Sequence, residues 1–363
     1  MKNLILVIII LFAFSCNSET ISEYIDVNGE QVLVCNLMEV TDTINFPLSD
    51  LVESCQIVRL KTDKGGLFDR AWHTSISENY IAIKSYGKFP VKLFDRYGSF
   101  IRNIGAIGAG PGEYNSLYGI QLDEAQNRIY LTPFANAKKI IVYSLDGQLL
   151  EDIPLAYRSG KIRAFVDGEI VNVVCMPIGN SKVSAFQQKL DGTVIISVPA
   201  SKYLYAPEFS HEIFSYNNSD NFEFHNTMTD TLYQFSPPDS ILHPKFILKK
   251  PADQNIYSSL YSLPHHYYAW IQKNKRLLID KKTGKSYYIK LKNDFFGSFE
   301  ADIWGGLNGY FINVIPAIVL KDKIADALKN KHLSEKDREL LHKIDNETDQ
   351  EDNPIVFFGK YKR

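Results

Sequence analysis

The residues of this chain best suited to chemistry are aromatic and polar side chains on loop-like stretches between apolar runs. They come in groups: Glu113, Tyr114 and Tyr118; Tyr203 and Tyr205; Tyr257, Tyr261 and His265; and Trp304. A tyrosine ring stacks on a sugar face or fills a peptide pocket at low entropic cost while its hydroxyl stays hydrogen-bonded. Together these nine form the candidate binding face, and the chemistry they offer is recognition.

Motifs for catalysis are missing where the spacing invites them. Gly105, Gly108, Gly110 and Gly112 do not follow the order of a dinucleotide loop, and strand pattern rather than helix follows them. Gly284-Lys-Ser has Ile279 where a phosphate loop needs glycine, and no GxSxG nucleophile elbow occurs. No histidine sits in HExxH. His265 and His266 are adjacent, and neighbours on a strand point to opposite faces and cannot share a metal. No catalytic residue, metal ligand or cofactor is assigned from the sequence.

What positions such residues is a repeat. A strand ending in an Asp/Gly turn recurs at residues 91–98, 140–147, 183–192 and 276–284, with residues 231–240 as a copy in which Ser240 replaces the glycine. The turns lie about 44 to 49 residues apart, the period of propeller blades. Five turns do not close a ring. The sixth blade is expected from residues 299–304, 310–315 and 354–359, completed by residues 55–61 from the other end of the chain. Pairing first and last strands in one blade removes the open edges. The expected fold is therefore all-β, a six-bladed β-propeller closed by an N-/C-terminal strand latch. A small helical insertion is expected at about 321–352, where Ser334 opens a capping box and Leu340, Leu341 and Ile344 form a stripe behind it. Leu333 is placed to staple across that cap.

Composition agrees with strands: among 363 residues there are 22 Phe and 21 Tyr, alongside many Val and Ile. A formal charge of −2 gives no electrostatic reason for a nucleic-acid partner. The N-terminus carries Lys2, then an apolar run from Leu4 to Phe14, too short to span a bilayer and shaped like a secretory signal. It ends in Ala13-Phe-Ser-Cys16, which resembles a bacterial lipobox. Residues 1–15 are thus expected to be a lipoprotein signal peptide, Cys16 the lipidated first residue, 16–43 a tether or leader and 44–363 the propeller. Of the other cysteines, Cys35, Cys55 and Cys175, an odd number allows at most one disulfide and leaves a free thiol.

By these marks the chain resembles the six-bladed β-propeller lipoproteins of Gram-negative envelopes, whose blades are similar to NHL repeats. The residues that carry the likeness are 46–54, the 105–114 loop, 229–233 and 352–356. The resemblance implies the propeller fold and an envelope location, lipid-anchored to the outer membrane. It implies no common activity. The expected function is a ligand- or protein-binding module whose partner is a glycan, a peptide or an envelope protein. The alternative is a channel-centred propeller enzyme, lactonase-, lyase- or hydrolase-like, acting on a carbohydrate or related small molecule; Asp123, Asn172, Glu223 and Asp302 lie near strand patterns, and none of them is assigned to the channel.

Overall fold

The computed structural model describes residues 21–363 except 177, 179–180, 202–209, 219–221, 237–239 and 304–308. The expected signal peptide and Cys16 lie outside the described residues, as do Tyr203, Tyr205 and Trp304.

Six antiparallel sheets follow one another around a ring. The first blade runs through Ala71–Ile76, Tyr80–Ser85, Val91–Asp95 and Phe100–Ile104, the second from Leu117–Asp123 to Ile153–Pro154, and the third from Lys161–Asp167 to Val194–Pro199. The fourth begins at Ile213–Tyr216 and ends at Leu242–Lys249, and the fifth begins at Ser258–Ser262 and ends at Ser286–Asn293. Strands flanked by neighbouring blades are buried on both faces, as Val91–Asp95 and Lys139–Ser144 show, because stacking in a ring covers both sides of a sheet.

The repeated turns fall where the spacing places them. Gly98, Gly147, Gly192 and Gly284 all have positive φ, between 72° and 88°. Gly98 has a second reason to be glycine: a Cβ there would lie 2.1 Å from the Arg59 carbonyl oxygen, so the turn of blade one could not approach blade six.

Blade six holds the seam. Its ladder is Tyr310–Ile315, Ile355–Lys360 and Gln56–Arg59, with Val356 opposite Val58 and Phe357 opposite Ile57. Phe299–Glu300, expected as a strand of blade six, instead pairs with Asn293 and Lys292 of blade five. Buried Asn353 pins the seam from the side: its Nδ2 lies within hydrogen-bond reach of the carbonyls of Leu60, Lys61 and Gly66, and its Oδ1 accepts from Phe68 N at 2.9 Å.

The expected leader stretch contributes strands of its own. Glu30–Asn36 adds in parallel to the outer strand of blade four, and Glu23–Val27 pairs onto it; Thr43–Pro47 adds in parallel to blade five. Two sheets therefore exceed four strands. The insertion of blade six is a helix pair, α1 (Ala317–Leu328) and α2 (Glu335–Asn346), starting slightly earlier than the sequence indicates. Ser334 Oγ accepts from Asp337 N at 3.1 Å, Leu341 and Ile344 are sealed, and Leu333 and Leu340 pack beside them. Cys35, Cys55 and Cys175 are all free thiols. Among the described residues no helix is long and apolar enough to cross a membrane.

Candidate functional site

A cavity of about 880 Å³ lies on the ring axis and touches all six blades. His73 and Thr74 line it from blade one, Gln121 from blade two, Arg163 and Phe165 from blade three, Phe214 and Tyr216 from blade four, Ser259 and Tyr261 from blade five, and Val314 from blade six. At blade four it reaches Asn217 and Phe222, while elsewhere residues at the opposite end of successive strands (Arg70, Thr132, Trp270, Pro316) share its wall.

Aromatic rings form two pairs near that end. Trp72 and Tyr86 of blade one meet edge to face with centroids 4.9 Å apart, and the Arg70 guanidinium lies 4.9 Å from the Tyr86 ring centre. Two blades away, beyond blade six, Tyr257 and Trp270 of blade five meet edge to face at 6.1 Å. Deeper, Tyr261 packs among Phe214, Tyr216 and Tyr268 at 5.3–5.9 Å. These rings are placed by strand alternation: Ser259, Tyr261 and their like face the axis while Leu260 enters the core between blades.

The charge at the centre is Arg163. Its Nε donates to the Ile213 carbonyl at 2.9 Å and its Nη1 to the Tyr118 carbonyl at 2.7 Å, so the guanidinium bridges the inner strands on either side of its own. It lies 4.2 Å from the Tyr118 ring centre. Gly119 leaves it room, since a Cβ there would stand 3.1 Å from Nη1. The positive field lowers the phenol pKa values of Tyr118, Tyr216 and Tyr261 against the larger, raising effect of their burial, and it adds to the depression at His73. One cation is thus felt on four other blades. Beside it, Lys161 is sealed and bonded to Glu212 at 2.6 Å, and Tyr118 donates its hydroxyl to the same carboxylate.

The opposite wall is neutralised internally. Arg276 pairs with Asp302 and lies 3.6 Å from Glu300, while Lys323 of α1 donates to the Glu300 carbonyl at 2.8 Å. Among the described residues no cluster of three His, Cys, Asp or Glu side chains is arranged to hold a metal ion.

His73 and His225 play parallel roles. His73 Nδ1 accepts from Ile120 N of the next blade at 2.9 Å, and His225 Nδ1 accepts from Leu260 N at 3.1 Å. His225 Nε2 donates to the Thr229 carbonyl; His73 Nε2 is sealed and has no partner. Part of the His73 ring forms cavity wall, but its nitrogens do not reach solvent. Desolvation, with Arg163 second, pushes its pKa down to about 3; desolvation does the same to His225, also to about 3. Both are neutral in the native state and gain a proton near pH 6.5 once unfolded. Stability is therefore fully present above that pH and is lost as pH falls from about 6.5 towards 3. At about 1.4 kcal/mol per pH unit per group, the two together cost on the order of 4 kcal/mol by pH 5. Urea midpoints are expected to fall between pH 7 and 5, a window above the titration of the carboxylates; equal midpoints would contradict neutral native histidines.

The candidate face read from sequence separates into distinct places. Tyr257 and Tyr261 line the cavity. Tyr118 is sealed behind it, its oxygen also accepting from Ile213 N at 3.0 Å. Tyr114 is buried between blades one and two, donating to the Ile104 carbonyl at 2.6 Å and accepting from Val91 N at 2.8 Å. Glu113 is exposed and accepts from Gly110 N at 2.8 Å, closing the glycine loop on itself. His265 is exposed in the hairpin joining Ser258–Ser262 to His266–Ile271, the end of blade five away from Trp270. Trp72, Tyr86, Arg163 and Trp270 were not singled out by sequence; the available signal was an arginine inside the strand pattern of residues 161–167.

Fold and cavity together define a six-bladed β-propeller with one aromatic-walled axial pocket. The chain belongs to the family described as a domain of unknown function, DUF4934, which matches residues 32–264. No curated protein matches the sequence. Among solved structures, the chain is similar to a protein of Bacteroides fragilis described as exported, with 18% identity, a TM-score of 0.64, and coverage of 88% of this chain and 100% of that one. It is also similar to a DUF4221 family member from Bacteroides vulgatus, with 11% identity, a TM-score of 0.40, and coverage of 86% and 97%.

Proposed function

We propose that this chain is an exported, lipid-anchored propeller of the cell envelope, NHL-like in its blades, that binds a saccharide in its axial cavity. The observation that carries the reading is the cavity itself: its mouth is walled on two sides by the pairs Trp72–Tyr86 and Tyr257–Trp270. Concave, preformed pockets with apolar rings and a few convergent polar groups are how proteins hold small ligands. Ring faces suit the apolar faces of sugars, and a volume of about 880 Å³ admits an oligosaccharide rather than a single small ion. The similar Bacteroides protein described as exported and the lipobox-like Cys16 support the location. Membrane contact is then made by the lipid, leaving the propeller free to meet its ligand.

A glycan array probed with the soluble form starting at Asn17 tests this. Wild type is expected to retain a defined set of glycans. Trp270→Ala, which removes an aromatic anchor, is expected to weaken them by about thirtyfold, the effect of losing roughly 2 kcal/mol at a central ring. An array profile unchanged by Trp270→Ala would overturn the reading.

A further inference from the structure

We infer that the saccharide held by the cavity is acidic and that its carboxylate is seated on Arg163. This deepens the reading above and rests on the cavity being a saccharide site. Three observations carry it. First, the guanidinium is fixed before any ligand arrives: Nε and Nη1 are spent on the Ile213 and Tyr118 carbonyls. Nη2 has no protein partner among the described residues and is not sealed, so its N–H groups are left to the cavity. Second, no carboxylate of the described residues lies within ion-pair distance of Arg163, although Lys161 and Arg276, its nearest cationic counterparts in role, each have one. A cation held against a low-dielectric wall without a counter-ion is costly unless something answers it. Third, the acids that reach the cavity are already answered, Asp302 and Glu300 by Arg276.

The remaining cations reinforce the preference. Arg70, 3.8 Å from the exposed Asp69 carboxylate, stands at the mouth over Tyr86, and Lys323 lines the wall beside Glu300. A carboxylate entering past Arg70 can accept from the Nη2 N–H groups that the Ile213 and Tyr118 carbonyls leave unused, a directional, charge-assisted bond. The aromatic pairs then face the sugar rings that carry the acid.

The experiment uses the soluble chain and matched probes: trigalacturonic acid, a hyaluronan tetrasaccharide and sialyllactose, each beside its carboxyl methyl ester. Calorimetry is expected to show at least one acid binding about tenfold or more tighter than its ester, the scale of one charge-assisted interaction. Arg163→Gln is expected to abolish that preference while ester binding persists. On wild-type protein labelled with 15N-histidine, the sealed His73 Nε2–H resonance, assigned through His73→Asn, is expected to move with the acid and not with the ester. That spectrum decides the matter even if Arg163→Gln proves unstable. Acid and ester bound equally, with both lost in Trp270→Ala, would overturn the acidic ligand and leave the saccharide site standing. Binding of no probe would overturn both.

Discussion

Deletion of residues 354–363 is expected to leave no folded ring. The deletion removes Ile355–Lys360, the middle strand of blade six, and so separates Tyr310–Ile315 from Gln56–Arg59. Ile355, Val356, Phe357 and Phe358 are each 0% exposed. At about 1.5–3 kcal/mol for each buried side chain, their loss amounts to roughly 6–12 kcal/mol, against a total stability of about 5–15 kcal/mol for an ordinary domain. The loss also exposes two strand edges that the closed ring hides. A milder variant tests the same seam. Phe357 meets Phe296 and Phe299 edge to face at 5.5 and 5.3 Å, so Phe357→Ala is expected to cost about 3–5 kcal/mol. Near-ultraviolet circular dichroism and size-exclusion chromatography check the deletion, and urea melts check the point variant. A truncated chain that melts within a few degrees of wild type would contradict closure by the termini.

The second large effect is expected at Lys161. Its ammonium is sealed, bonds to Glu212 at 2.6 Å and to the His211 carbonyl at 2.7 Å, and lies 5.8 Å from the Tyr118 ring centre. Lys161→Met leaves the Glu212 carboxylate, itself mostly buried, without its counter-charge. Breaking one side of a buried pair costs about 3–5 kcal/mol, because the remaining charge is stranded. Adding Glu212→Gln should recover at least half of that loss, since the stranded charge rather than the lost attraction is the main cost. The consequence reaches the cavity: Tyr118 bonds to Glu212, and the Tyr118 carbonyl holds Arg163. Urea midpoints of the single and double variants measure the effect. A single variant within 1 kcal/mol of wild type, or a double variant no better than the single, would contradict it.

Much of the ring is legible in the sequence because each blade announces itself locally. A tight turn needs positive φ, so Gly98, Gly147, Gly192 and Gly284 punctuate the chain at blade spacing. The latch is legible because its strands are apolar runs at the two ends of the chain, one needing a partner and the other supplying it. The Ser334 cap is a local signal of the same kind. The parallel additions of Glu30–Asn36 and Thr43–Pro47 are not legible, because their partners lie more than two hundred residues away and nothing in a short strand names its neighbour. The site suffers from the same limit. Strand alternation says which residues share a face, but not which strand of a blade lies innermost. Tyr114 and Tyr118 read as rim residues because they follow a glycine loop, yet their hydroxyls fasten blades together. Arg163 and Trp270 lie within strands, where charge and indole look like surface or core until the axis is known.

The ligand is expected to sit on the ring axis. A crystal structure of the soluble chain with the tightest glycan from the array tests it most directly. Sugar density is expected inside the cavity, flanked by Trp72 and Trp270, with an oxygen within hydrogen-bond distance of Arg163 Nη2. Density for the glycan on the outer edge of a blade, or on the end of the ring that carries His265, would contradict it.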